Sequence, residues 1–205
     1  YLGSLYARAM VRGYQGDGDY SEDSNMLACL KHFALYGASE SGRDYREVDM
    51  SPARMYNEYF PPYRAAVEEG VASVMTSFND LNGCPSTANR WLLTEVLRNQ
   101  WGFDGFVVSD YNAVGELVNH RAAESREEAA VMSLNAGLDM DMVTAGCMTL
   151  GGALERGEIK MRQIDAACRR ILEAKWKLGL FSDPYKYLDP TRKQRIYTEE
   201  NRAEA

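Results

Sequence analysis

The sequence predicts an α/β fold in which parallel βα units form about half of a TIM-type (β/α)8 barrel. Three observations predict it. Short β-branched or apolar runs alternate with helical apolar periods at about 30 to 45 residues per unit, the grammar of right-handed βαβ connections. No G-x-G-x-x-G or G-x-x-x-x-G-K motif follows any of these runs, which disfavours a doubly wound nucleotide-binding sheet. The residues able to do chemistry, Lys31, His32, Asn79, Asp110 and Asp141, fall at run ends, and a barrel gathers such ends on one face. A full barrel takes about 250 residues and eight units. Strands are expected here near residues 27 to 33, 71 to 78, 105 to 110 and 138 to 142.

The opening "YLGSLYARAMVRGYQG" has no signal-peptide order and reads as an amphipathic helix with Leu2, Leu5, Tyr6, Ala9 and Met10 on one face. A chain that opens inside an element is expected to lack its beginning. "MLACLKHFALYG" is the first strand region, followed by the polar loop "ASESGRDYREVDM". Ser51 and Pro52 then supply an N-cap and a first-turn proline. The helix they start has Met55, Tyr59 and Tyr63 on a face, and Pro61 and Pro62 must break or restart it. The run "GVASVMTSFNDLNG" closes in Asn79 and leads to a turn-rich loop with Gly83 and Pro85.

"RWLLTEVLRNQWG" carries Trp91, Leu92, Val96 and Leu97 at helical spacing, with Gly102 as its stop, and "GFVVSD" is the next strand. "ESREEAAVMSLNAG" starts acidic and ends at Gly137, as a helix complementing its own dipole would, and "LDMDMV" is a short strand carrying Asp139 and Asp141. Helical patterns around "CMTLGGALERG" and "MRQIDAACRRILEAKWKLG" follow. Beyond them the apolar period disappears. Residues 1 to 181 are therefore expected to be a partial barrel domain, and 182 to 205 a linker towards a second domain.

With 205 residues, 45% hydrophobic and 26% charged, the chain suits one sizeable core. A net charge of −7 without a basic cluster argues against nucleic acid. No run of about 20 apolar residues predicts a membrane span. Cys29, Cys84, Cys147 and Cys168 form no C-x-x-C pair and have only His32 and His120 as co-ligands, so free, mostly buried thiols are expected. In "DGDYSED", Asp17, Asp19, Ser21 and Asp23 have the alternate spacing of a calcium loop. Glu22 stands where its glycine is needed and Ala28 where its bidentate glutamate belongs, so a solvated acidic loop is expected and no metal.

Asp110 ends a buried run, where a carboxylate enters a pocket walled by the sheet. Position alone leaves open whether it serves a site or caps the next helix.

"LKHFALYG", "SVMTSFNDLNG", "LRNQWGFDGFVVSDY" and "AGLDMDM", in this order, resemble the N-terminal domain of family 3 glycoside hydrolases, the β-glucosidase and β-xylosidase group, over nearly all of residues 1 to 190. The resemblance makes Asp110 the nucleophile of a retaining mechanism. It gives Lys31 and His32 a role in binding sugar hydroxyls, and Met75 and Tyr111 positions lining the sugar subsite. The implied substrate is a β-linked oligosaccharide or an aryl or alkyl glycoside, with glucose first and xylose second. No cofactor is implied. A retaining glycosidase also needs an acid carboxyl about 5 Å from the nucleophile. Glu40, Asp44, Glu47, Asp80 and Asp141 lie near the same face, but the resemblance places the acid in a second α/β domain after the linker. The rest of the barrel and that second domain are then expected in a parent chain. Such parents are often exported to the periplasm or beyond.

The branch that uses a loop histidine as acid does not fit, because "ESGRDYREVDM" contains none. Phe78 stands where the family often has Tyr, and Tyr111 where Trp is common. Two other readings remain: a barrel lyase with Lys31 as its Schiff base, and a non-catalytic fragment that assembles through its open sheet edge.

Overall fold

The computed structural model describes residues 1–20, 22, 24–143 and 146–204. It is an α/β structure whose three-stranded parallel sheet has the order β1 (Cys29–Phe33), β2 (Ser73–Thr76), β5 (Phe106–Val108). Helices occupy the crossovers. Consecutive parallel βα units of this kind are part of a TIM-type barrel.

Leu2–Gln15 forms α1. It packs on α3 (Phe60–Glu68) through half-buried Ser4, Ala7 and Arg8 and buried Val11 and Gln15. The stripe read from the sequence is therefore the wrong face: Leu2, Leu5, Tyr6 and Met10 are exposed. Polar anchors set the rotation instead. Arg8 pairs with Glu68 and Glu69, and Arg12 with Glu69. The buried Gln15 amide donates to Gly70 O and accepts from Ala28 N and Ala72 N, fastening α1 to the start of two strands. An amide so placed would cost free energy if rotated out of reach of its partners.

Ser51 Oγ accepts from Arg54 N at the start of α2 (Pro52–Arg54). A π-helical turn, Met55–Tyr59, joins α2 to α3, where Pro61 and Pro62 occupy the first turn. The widened turn falls just before the prolines, whose missing N–H groups interrupt the regular ladder. A second π-helical stretch spans Trp91–Gln100, and its buried residues Leu92, Leu93, Val96 and Leu97 recur at the longer period of that helix, leaving Trp91 near the surface. Beneath these helices Phe33, Phe60 and Trp101 pack ring on ring, with centroids 5.2 to 6.5 Å apart. That aromatic cluster is the centre of the core.

Between β2 and the Trp91–Gln100 helix lies an antiparallel hairpin, β3 (Asp80–Leu81) and β4 (Cys84–Pro85), turning through Asn82 and Gly83 at positive φ. After β5 come α4 (Ala113–Asn119) and α5 (Arg126–Ala136). Ser125 caps α5 by accepting from Glu128 N, two glutamates occupy its first turn, and Gly137 at φ 114 ends it.

The expected fourth strand is reduced to one parallel bridge, Val108 with Met140. Backbone and side-chain bonds together hold the segment. Val107 N donates to the Asp139 carboxylate, and Met142 N to Ser109 Oγ, while Val107 O accepts from both Asp139 N and Met140 N. Further α-helices follow among the described residues: α6 (Leu150–Glu155), α7 (Met161–Lys177) and α8 (Glu199–Glu204). The segment after α7 folds back on the start of the chain. Tyr187 Oη donates to Tyr20 O and Leu178 O, and Lys186 Nζ to Tyr20 O.

The cysteines are free, but the expectation of burial fails. Cys29, Cys147 and Cys168 are exposed, and Cys84 is half-buried. Cys29 begins β1, which pairs with a neighbour on one side only, while Cys147 and Cys168 sit on the surfaces of a short turn and of α7. Ser21 and Asp23 of the acidic loop lie outside the described residues. Among the described residues no three His, Cys, Asp or Glu side chains gather as a metal site would require, and no helix is long and apolar enough to cross a membrane.

Candidate active site

At the carboxyl ends of β1 and β5 the structure brings two side chains together. His32 Nε2 stands 3.3 Å from Asp110 Oδ2, with side-chain exposures of 30% and 16%. Asp110 follows β5 by two residues, and its other oxygen accepts from Tyr111 N at 2.6 Å. Helix α4 begins only at Ala113, with Asn112 at its N-cap and no side-chain cap bond, so the Asp110 carboxylate does not cap that helix. One oxygen is held by the backbone. The other faces the imidazole.

His32 is itself held from behind. Tyr63 Oη donates to His32 O at 2.9 Å, and the imidazole meets the Tyr36 ring edge-on with centroids 5.7 Å apart. Burial pushes the Tyr63 phenol up to about 12, so it remains a donor throughout the neutral range. Burial also lowers the His32 pKa; Asp110 and Asp44 oppose that fall and Lys31 adds to it. A neutral imidazole at the rim is the result. It offers a hydrogen bond to a carboxylate or a sugar hydroxyl without a full charge.

Lys31 precedes His32 and is exposed. Met75 is half-buried on β2, in register with Val108, between the strands that carry His32 and Asp110. Tyr111 is 62% exposed beside Asp110. All five predicted residues therefore stand towards the carboxyl end of the sheet, and the side chains of His32 and Asp110 are paired. Asn79 is fully buried; its Nδ2 donates to Asp80 O and its Oδ1 has no partner.

Of the carboxylates weighed as acid, Asp80 Oδ1 is 2.8 Å from His120 Nδ1, and Asp141 Oδ2 accepts from Gly146 N. Glu40, Asp44 and Glu47 are exposed on the loop after β1. The Asp80 contact is the first cause of a raised His120 pKa, assisted by Glu116 and Glu47 and opposed by burial.

Sequence reasoning missed three features of this rim. One is the tether from Tyr63 to His32, although Tyr63 was placed on the correct helix face. Another is the His120 and Asp80 pair, joined across 40 positions. The third is an aromatic file in which Tyr36, Phe78 and Tyr45 follow one another at centroid distances of 6.0 and 4.6 Å. The cluster of aromatics in "FALYG", "GRDYR" and "SFN" was the available signal, and no local period links such segments.

Comparison with known proteins shows the family. The family described as "Glycosyl hydrolase family 3 N terminal domain" matches residues 1–174. A periplasmic beta-glucosidase of Salmonella typhimurium is 41% identical over 199 residues, 97% of this chain and 26% of that protein. A beta-xylosidase of Formosa agariphila is 43% identical over 200 residues, 92% of this chain and 28% of that protein. The crystal structure of a beta-glucosidase from Listeria innocua in complex with isofagomine superposes with a TM-score of 0.92 at 43% identity, covering 98% of this chain and 28% of that one. The chain thus spans about a quarter of the length of the relatives it matches.

Proposed function

Because this chain belongs to glycosyl hydrolase family 3, we propose that it carries the nucleophile side of a retaining β-glycosidase site, with Asp110 as the attacking carboxylate. The observation that supports the reading best is the contact of 3.3 Å between Asp110 and His32, made at the carboxyl ends of parallel strands. In the first step the free Asp110 oxygen attacks the anomeric carbon. The bond from that carbon to the leaving oxygen breaks, its electron pair stays on the oxygen, and an acid carboxyl protonates it. Water, deprotonated by the same carboxyl, then hydrolyses the glycosyl ester and returns Asp110 as carboxylate.

His32 and Lys31 bind sugar hydroxyls in this reading, and Met75 and Tyr111 line the pocket against the C–H face of the ring. The acid lies outside residues 1 to 205, in the parent chain. The engagement of Asp80 by His120 supports that assignment. A β-glucoside is the first choice of substrate and a β-xyloside the second, in line with the names of the relatives. Lys31 is exposed, which gives no support to a Schiff-base lyase.

The test is made in the full-length protein that contains this chain. Asp110→Asn is expected to lower turnover of an aryl β-glucoside roughly 10³-fold or more, because an amide cannot form the glycosyl ester. Azide should restore part of the activity of Asp110→Ala, and a 2-fluoroglycoside should label Asp110. Labelling of another carboxylate would transfer the role to that residue.

A further inference from the structure

The loop between β1 and α2 ends in an aromatic side chain that the proposed reaction leaves without a task. Its base is fixed. Glu40 N donates to Glu47 O, Val48 N to Asp80 O and Asn82 N to Val48 O, and Asn82 exchanges two side-chain bonds with the backbone of Met50. These contacts stitch residues 40 to 50 to the hairpin that follows Phe78 and Asn79. At the tip, Tyr45 is 46% exposed, has φ 62, and its backbone N–H is taken by Asp44 Oδ1. A bulky residue seldom adopts that backbone conformation, and such strain gathers at places where a side chain must be aimed.

The Tyr45 ring rests on Phe78 at 4.6 Å, Phe78 lies 6.0 Å from Tyr36, and Tyr36 lies 5.7 Å from His32. Tyr45 is thus the outer end of a file that starts at the His32 and Asp110 pair. Its phenol is raised first by burial and then by the carboxylates of Asp44, Glu116 and Asp110. Two aromatic rings separate it from His32. A leaving unit that extended along this file from the sugar on Asp110 would meet the Tyr45 ring.

We propose that Tyr45 is the platform for the leaving group, its ring stacking on the flat C–H face of the departing pyranose or on an aryl aglycone. This rests on the reading of Asp110 given above. The loop contributes specificity without touching the reacting atoms: its fixed base sets where the ring stands, and its exposed face is free to be covered by the second sugar. A tyrosine that only shields Phe78 would make no difference to which ligand binds.

Binding to the full-length protein separates these cases. Two probes are used: isofagomine, which fills only the position beside Asp110, and an S-linked β-glucosyl disaccharide, which also fills the leaving-group position and is not cleaved. Tyr45→Ala is expected to raise the ratio of the disaccharide Kd to the isofagomine Kd about tenfold, and Tyr45→Phe to keep the wild-type ratio. Tyr45→Leu, which retains apolar cover over Phe78, should behave like the alanine variant. An unchanged ratio in both the Ala and Leu variants overturns the platform while leaving Asp110 untouched. Failure of the wild type to bind either probe, or full hydrolysis by Asp110→Asn, overturns the reading beneath it.

Discussion

His120 shows how much one side chain far from the sheet can do for the rim. It lies at the end of α4, is 13% exposed in its side chain, and reaches back to Asp80 on the hairpin after β2. Since its folded pKa is raised above the ordinary 6.5, the pair stabilises the protein fully below about pH 6.5 and is lost as pH rises through the folded value. Glu116 and Glu47 act in the same direction, so the window extends above 6.5. His32 works in the opposite sense. Its lowered pKa means that acid must force a charge into a half-buried position, which removes stability as pH falls below 6.5. The two histidines therefore oppose each other, and only a variant separates them. The Tm advantage of wild type over His120→Gln is expected to be largest near pH 6 and to shrink steadily towards pH 9. A difference independent of pH would assign His120 a packing role.

Among the elements, the segment after α5 depends most on a single charge. The Asp139 carboxylate is 1% exposed and receives Arg98 at 2.6 Å, Arg170 at 2.7 Å and Val107 N at 2.8 Å. It thereby ties the Trp91–Gln100 helix, α7 and β5 to one point. Asp139→Asn leaves Arg98, itself only 12% exposed, without its countercharge, and breaking a buried pair in this way typically costs about 3–5 kcal/mol. Chemical denaturation should show that loss; a change below about 1 kcal/mol would mean that water replaces the pair. The sequence announced Asp139 as a strand residue but not this function, because its partners are 31 and 41 positions away. The helix Arg126–Ala136 was legible from its acidic start and its terminal glycine, which are local signals, while its Ser125 cap was not singled out. The hairpin at Asn82 and Gly83 was read only as a turn-rich loop, because the two-residue strands beside it have no alternating pattern. Helix α1 failed for the opposite reason. Its apolar stripe was strong, yet Arg8, Arg12 and Gln15 had partners available only in the folded molecule.

In the molecule as a whole, the order of the βα units was legible because it is written along the chain, and Asp110 was singled out by the resemblance of its motif; the contacts across the rim have no such local signal. Among the described residues the order β1, β2, β5 makes Ser73–Thr76 the inner strand, paired on both sides, whereas Cys29–Phe33 pairs on one side and Glu199–Glu204 has no buried residue. Inner-strand amides can meet solvent only when both neighbours separate. In deuterium exchange, residues 73–76 should be the slowest labelled, with a protection close to that of global unfolding, and residues 199–204 should label at once. Equal labelling of the β1 and β2 amides would refute that hierarchy. Such a gradient has a consequence for how the His32 and Asp110 pair is kept together. The two residues hang on either side of the inner strand, His32 on β1 and Asp110 just after β5. A local opening of either outer strand would therefore part the imidazole from the carboxylate well before the sheet itself comes apart.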